Sequence, residues 1–217
     1  MRVSIILLDY SRHDYTQKVK SVNLPNAGYP YNLVEVNRKG IAAAFNEGIL
    51  KSLDYDAVVF MANDILLPIN WLKEMVEHAQ AIPETGTVGI HTVQYSTDPK
   101  IINGKCVNVV DVAFGDVLIP MPVIKKIGGY NTDLDPYSIQ DLEFAFRATK
   151  NGYIHYYING LQAEHIGHDV GQKSDYRLMK DEGLKMVDEK WQKWQKIYAE
   201  SGNYSIPLIE MNQYEGE

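Results

Sequence analysis

Apolar runs and helical stripes alternate along the first half of this chain. Val3 to Leu8 is a β-branched and aliphatic run, with Ser4 its one small polar member, that gives way to Asp9, Ser11 and Arg12. That is the pattern of a strand buried on both faces and stopping at a polar loop. Residues 14–22 fit a short helix, broken by Asn23-Leu24-Pro25-Asn26-Ala27-Gly28-Tyr29-Pro30. Leu33 to Val36 reads as a short strand, and the alanine-rich Ile41 to Leu53 is of helical type. A second fully apolar strand, Ala57 to Ala62, ends at Asn63-Asp64. Pro68 to Ala81 predicts a helix with Trp71, Leu72, Met75 and Val76 on one face. Strands alternating with helices imply an α/β fold, a mainly parallel sheet flanked by helices.

The second half is more mixed. Val88 to Val93, Val107 to Ala113 and Gly115 to Ile119 have strand character, and Pro122 to Ile127 is a helix ended by Gly128-Gly129. A helix is expected over 139–150, a strand from Tyr153 to Ile158, and a turn at Asn159-Gly160. Residues 174–200 predict a long charged helix with Trp191, Trp194, Ile197 and Tyr198 as its apolar stripe. No repeat or flexible linker separates the halves. The expectation is a single compact domain over 1–172, divided near residue 95, with a C-terminal helix and tail over 173–217.

At 217 residues, 45% apolar and 23% charged, the composition is that of an ordinary globular protein with a substantial core. The net charge of −7 disfavours non-specific attachment to nucleic acid or to an anionic membrane. The single cysteine, Cys106, forbids an internal disulfide and fits a cytoplasmic location. The first apolar run is too short for a membrane span or a signal core, so no integral membrane segment is expected.

Ligands of open parallel sheets gather beyond the carboxyl ends of the strands. Asp9, Asn63-Asp64 and His165 stand there by this reading. Asp64 and His165 suit Mn²⁺ or Mg²⁺ bridging a diphosphate. Equally, Asn63-Asp64 fits a plain turn, and His165 with His168 a solvated loop pair. The segment Ser138 to Arg147 carries a similar ambiguity. Ser138-Ile139-Gln140-Asp141 matches a helix capping box, and Glu143 with Arg147 matches an i,i+4 ion pair. Yet a carboxylate at a helix N-terminus stays ionised and can deprotonate a hydroxyl. There is no phosphate-binding Gly-x-x-x-x-Gly-Lys loop, no Gly-x-Ser-x-Gly elbow and no cysteine/histidine cluster. The Lys190 to Lys196 alternation of tryptophan and lysine could stack on sugars or bases, but an amphipathic helix closing over the core explains it more simply.

Taken in order, these segments resemble the family 2 glycosyltransferases of the GT-A (Rossmann-like) fold over roughly residues 3–168. Val3 to Arg12 resembles the opening strand and nucleotide loop. Gly40, Asn46, Gly48 and Ile49 fall at the family's G-x-x-x-x-x-N-x-G-I spacing, and Phe60 to Asp64 is similar to the strand that delivers D-x-D. Trp71-Leu72 follows it as W-L does. Gly115 and Ile127-Gly128-Gly129-Tyr130-Asn131 resemble the acceptor-side G and I-G-G-F-D elements, and Gln140 to Arg147 with Gly152-Tyr153 resembles E-D-x-D-x-x-x-R…G-Y.

The resemblance implies an inverting transfer from a nucleotide-diphosphate sugar, a UDP-sugar in the first instance, to a hydroxyl acceptor. Asp141 would be the general base. Asp64 and His165 would hold a divalent cation, Mn²⁺ or Mg²⁺. Asp9, Tyr10, Arg12, Asn46, Asn63 and Glu143 would serve the nucleotide-sugar. The acceptor stays open among a glycan, a lipid-linked sugar, a protein and a modified DNA base. Three departures bear on this. Ala62 replaces the first acid of D-x-D, leaving the cation fewer carboxylates. Gln140 and Glu143 replace a glutamate and an aspartate. Only 26 residues separate Tyr10 from Asn37, where the family fits an extra strand–helix unit with a base-reading aspartate, so Glu35 is the only acid left in that strand. A degenerate, non-catalytic nucleotide-sugar or glycan-binding module is therefore the alternative. A nucleotidyltransferase is disfavoured, because no glycine-rich basic loop follows the first strand.

Overall fold

The strand β1 (Val3–Leu8) is apolar except for the buried Ser4, because its two faces serve two different cores. Val3, Ile5 and Leu7 pack into one cluster with Trp71, Leu72 and Met75. Ile6 points the other way, toward Phe45, Ile49 and Phe60. The strand β3 (Ala57–Met61) divides its side chains likewise, Val59 and Met61 on the first face, Val58 and Phe60 on the second. A strand covered on both sides cannot show polar alternation. Each such aliphatic side chain contributes about 1.5–3 kcal/mol by leaving water.

The computed structural model describes residues 1–9, 13–92, 98–113, 115–135, 139–166 and 175–206, and Tyr10, Arg12, Ser138 and His168 lie outside them. After β1 come α1 (His13–Asn23), β2 (Asn32–Val36), α2 (Ile41–Leu50), β3, β4 (Ile65–Leu66), α3 (Trp71–Ala81) and β5 (Thr85–His91). The second half holds β6 (Lys100–Ile102), β7 (Lys105–Val110), β8 (Val117–Pro120), α4 (Met121–Ile127) and a 3-10 turn (Thr132–Leu134). It closes with α5 (Gln140–Lys150), β9 (Ile154–Gln162), β10 (Glu164–His165) and α6 (Asp175–Ser201). Among the described residues eight strands form one sheet in the order β2-β1-β3-β8-β5-β9-β7-β6. The strands β1, β2, β3, β5 and β9 run the same way, and β8 is inserted antiparallel between β3 and β5. The α/β architecture expected from the sequence is the one observed, with antiparallel pairing added through β8 and β7.

The differences from expectation are local and have physical causes. The helix α3 starts at Trp71 rather than Pro68, because Asn70 adopts a left-handed φ of 63° just before it. The helix α2 stops at Leu50, short of Leu53. Asn159-Gly160 is no turn. It lies inside β9, where the pairing slips between Gly89↔Tyr157 and His91↔Gln162 and the left-handed Gly160 takes up the irregularity. The two-residue strands β4 and β10 were not foreseen; they pair with each other, antiparallel and apart from the main sheet. No helix among the described residues is long and apolar enough to cross a membrane.

Candidate active site

The carboxyl ends of β1, β2 and β3 share one rim. Asp9 leaves β1 there with its N–H on the Val36 carbonyl of β2, at 2.9 Å. Asn63 and Asp64 leave β3 on the same rim. Asn63 donates through Nδ2 to Thr16 Oγ1 of α1 at 3.3 Å, which ties it to the first helix. Glu35 on β2 is taken by Lys20, whose Nζ lies 2.8 and 2.9 Å from its two oxygens.

The pairing of β4 with β10 brings distant residues together. His165 stands opposite Ile65 in this small ladder, and Ile166 N–H donates to the Asp64 carbonyl at 2.9 Å. His165 Nε2 thereby comes within 3.1 Å of Asp64 Oδ2, across 101 residues of sequence. The other edge of β4 is occupied by a side chain instead of a strand. Asn23, wholly buried, donates to the Ile65 carbonyl at 2.9 Å and accepts from Leu67 N–H at 2.9 Å. A primary amide carries one donor side and one acceptor side, so a single Asn can imitate a neighbouring backbone.

A carboxylate oxygen beside an imidazole nitrogen is a donor set that Mn²⁺ accepts readily, and both side chains remain about a third exposed (29% and 32%). Among the described residues no three carboxylate, histidine or cysteine side chains gather at ligand spacing. The pair therefore fits a cation that completes its shell with phosphate oxygens and water. Ala62 contributes no side-chain ligand. Its N–H is instead held by Asp116 Oδ1 at 2.6 Å.

The base candidate Asp141 lies in the first turn of α5. The capping box expected before it does not form: the helix begins at Gln140 with Ile139 at the cap and no side-chain cap bond, and Ser138 lies outside the described residues. Asp141 is half-buried, and its carboxyl is pushed up to about 6, by burial first, with the hydroxyl of Tyr130 donating a hydrogen bond that opposes the rise. The sequence alone implied a carboxylate held ionised by the helix N-terminus, but burial outweighs that effect.

Tyr130 is fixed from both sides. Its ring stacks on Phe144 at 5.0 Å, and its backbone is gripped by Asn46, which donates to the Tyr130 carbonyl at 2.7 Å and accepts from its N–H at 2.8 Å. Asn46, expected to serve the nucleotide-sugar, is only 1% exposed; it supports Tyr130 and offers no surface to a ligand. Five residues on, the Asp135 carboxylate accepts from Ala42 and Ala43 N–H at 2.9 and 3.0 Å, capping α2 from outside, where Gly40 provides no side-chain cap. Gly40 is required twice: its φ is 91°, and a Cβ would lie 2.6 Å from Asp135 Oδ2.

Glu143 also moves from its expected place at the donor. It is wholly buried, with its oxygens 2.7 and 2.9 Å from Arg147 Nε and Nη2, and the Tyr198 hydroxyl of α6 donates to it. Arg147 completes its bonds on the Ile127 and Gly129 carbonyls at 2.5 and 2.7 Å. The i,i+4 pair is thus an internal strut under the segment that presents Tyr130. The tryptophans of α6 pack inward, Trp191 edge-on to Phe146 at 5.5 Å and Trp194 beside Tyr198 at 5.5 Å, while Ile197 stays exposed. Trp194 Nε1 and Lys193 Nζ hold Asp133 Oδ2 at 2.9 and 3.1 Å. Asn23, Asp116, Tyr130, Asp135 and Tyr198 were not read as site residues from the sequence, where Tyr198 stood only in an apolar stripe. Only Tyr130, a tyrosine where the I-G-G-F-D pattern has phenylalanine, carried a visible signal.

Comparison with known proteins bears on the fold and the family. No functionally curated protein matches the sequence. Among solved structures, a mutant Drosophila β1,4-galactosyltransferase 7 in complex with manganese, UDP-Gal and xylobiose is similar, with a TM-score of 0.58 at 13% identity over 81% of this chain and 76% of that one. The mannosyltransferase PcManGT from Pyrobaculum calidifontis, in complex with GDP-Man and Mn²⁺, has a TM-score of 0.57 at 16% identity over 76% of this chain and 56% of that one. TarS from S. aureus gives 0.57 at 12% identity over 86% of this chain and 43% of that one. These similarities establish the GT-A fold. Residues 4–152 match the model of Glycosyl transferase family 2, and the chain belongs to that family of sugar-transferring enzymes.

Proposed function

We propose that this protein transfers a hexose from a nucleotide-diphosphate sugar to a hydroxyl acceptor by a single displacement that inverts the anomeric centre. The observation that carries this reading is the state of Asp141: a half-buried carboxyl raised to about 6 and oriented by one tyrosine. Such a group is mostly ionised near neutral pH yet basic enough to accept a proton, the balance general-base catalysis asks for. Asp141 takes the acceptor's hydroxyl proton as that oxygen bonds to the anomeric carbon. The bond from that carbon to the diphosphate oxygen breaks on the opposite face, and the nucleoside diphosphate leaves. A cation held by Asp64 and His165, when bound, offsets the negative charge gathering on the diphosphate. Asp9 and Asn63 share the rim on which the nucleotide would lie, and Tyr10 and Arg12 follow Asp9 in sequence. UDP-sugars lead the donor candidates, supported by the UDP-Gal complex of the Drosophila neighbour, with GDP-sugars next because the Pyrobaculum enzyme binds GDP-Man. A cytoplasmic setting fits the lone Cys106.

The test is Asp141→Asn. Transfer should fall to background, while thermal stabilisation by the donor nucleotide with Mn²⁺ stays close to that of the parent. Retention of most turnover would remove Asp141 from the mechanism. Ala62 favours one other reading, a binding module without transferase activity. Stabilisation by UDP or GDP with Mn²⁺, but no donor hydrolysis or transfer over long incubation with glycan, lipid-linked and protein acceptors, would decide for it.

A further inference from the structure

Asp116 is wholly buried, follows the left-handed Gly115 and enters β8 opposite the end of β3. Phe60 pairs with Val117, so Asp116 arrives where β3 gives way to Ala62, Asn63 and Asp64. One carboxylate oxygen, Oδ1, accepts from Ala62 N–H at 2.6 Å. The other, Oδ2, is buried and has no hydrogen-bond partner among the described residues. The same turn touches the strand that carries the histidine's partner, since a Cβ on Gly115 would lie 3.0 Å from Ile65 Cδ1. Burial pushes the Asp116 carboxyl well up, the Ala62 N–H opposes this, and the nearby Asp64 carboxylate adds to the rise. A second carboxyl group, with one oxygen unpartnered among the described residues, thus lies near the Asp64–His165 pair but outside direct ligand spacing.

A buried carboxylate oxygen is left without a partner only when something else uses it or its burden is borne elsewhere. A hydrated divalent cation would use it. Such ions keep several waters, and carboxylates that accept hydrogen bonds from those waters set the ion's affinity. Ala62 cannot contribute a carboxylate from β3. Asp116 reaches the same place from β8, anchored on the backbone of that very residue.

We propose that Asp116 is the outer-sphere carboxylate of the Asp64–His165 cation site: Oδ1 fixes Ala62, and Oδ2 accepts a hydrogen bond from a water bound to the ion. This rests on the cation reading given above and adds a positioning residue to it. The alternative is a purely structural Asp116 that only satisfies the Ala62 N–H.

Asp116→Asn separates the two, because asparagine keeps an oxygen for Ala62 and puts an amide nitrogen, a donor, where the carboxylate oxygen would accept from the ion's water. Free Mn²⁺ is followed by electron paramagnetic resonance as the ion is titrated into the whole chain, with Asp64→Asn in parallel. The outer-sphere role predicts Mn²⁺ affinity in Asp116→Asn weaker by about 10-fold or more, with unchanged circular dichroism. An affinity within about two-fold of the parent, beside a weakened Asp64→Asn, overturns the role of Asp116 and leaves the cation site standing. No Mn²⁺ binding by the parent chain overturns both. Should Asp116→Asn fail to fold, the parent labelled with ¹³C at aspartate carboxyl carbons decides. Mg²⁺ must then shift a buried carboxyl resonance besides the one missing from Asp64→Asn, and a shift confined to that one rejects the proposal.

Discussion

Tyr130→Phe isolates the one hydrogen bond that tunes the proposed base. The substitution removes an oxygen and little else. The ring keeps its stack on Phe144 at 5.0 Å and its tilted contacts with Phe60 and Phe45 at 4.9 and 5.7 Å, and Asn46 holds only the backbone of residue 130. The fold should therefore persist. What changes is Asp141, whose carboxyl stands at about 6 because burial raises it and the Tyr130 hydroxyl partly holds it down. A hydrogen bond to a charged acceptor contributes about 1.5 kcal/mol or more, and one pKa unit corresponds to about 1.4 kcal/mol. Losing the hydroxyl should raise the Asp141 carboxyl by about one further unit.

The assay is kcat/KM for sugar transfer across pH, read on its acid limb, where activity follows the ionised fraction of the free enzyme's base. With that shift, transfer near pH 6 should drop about five-fold, while near pH 8 it should change by only about a tenth. The acid limb moves to higher pH with the plateau nearly preserved. A uniform loss at every pH would mean that Tyr130 acts through packing or substrate binding. An unmoved acid limb would mean that the group titrating in catalysis is not Asp141, and the base assignment would fall with it.

Glu143→Ala leaves the Arg147 guanidinium wholly buried without its counter-ion, so unfolding in urea should show a loss of about 3–5 kcal/mol, and a loss below about 1 kcal/mol would contradict the strut. His155 is lowered to about 4 by burial, between Thr87 Oγ1 at 2.8 Å and the Ala145 carbonyl at 3.1 Å. Between that value and the usual 6.5 the unfolded chain binds the extra proton, so this contribution is complete above about pH 6.5 and is lost as pH falls toward 4, by up to about 3 kcal/mol. Melting temperatures should fall across that window, and His155→Gln should flatten the slope; an equal slope in the variant would count against the assignment.

The strand pattern of the first half was legible because doubly covered strands are written as nearly continuous apolar runs, as in Val3–Leu8, broken only by Ser4, and Ala57–Met61. The helix that carries Asp141 was legible because its periodicity is plain. Two-residue strands carry no periodicity at all, so the β4–β10 ladder was invisible, and with it the physical reason that His165 meets Asp64. The burial of Asn46 and Glu143, both expected at the donor, was illegible for one shared reason. A polar residue in a helix looks equally like a ligand contact and like an internal strut until burial is known, and here Tyr130, Arg147 and Tyr198 claim them inside. Asp116 gave no signal, since its role depends on β8 lying antiparallel beside β3.

The spacing of Gly40, Asn46 and Gly48 acquires a mechanical meaning from the contacts of α2. Gly48 lets the helix lie flush on β1, for a Cβ there would fall 2.3 Å from Ile6 Cγ2. The helix is thus fixed to the strand that ends at Asp9, on the nucleotide side. From that seat Asn46 grips Tyr130, and the open N-terminus, kept clear by Gly40, receives the carboxylate of Asp135. Both ends of the stretch from 130 to 135 therefore hang from α2, and Asp135 also accepts from Gln140, the first residue of the helix that carries Asp141. On the far side Lys190, Lys193 and Trp194 of α6 hold Asp133 and Asp135. Asp141, attached this way, cannot shift without disturbing a helix already seated against β1. In the proposed mechanism the register between the attacking hydroxyl and the departing diphosphate is thereby set from α2, through Asn46 and the N–H groups that hold Asp135.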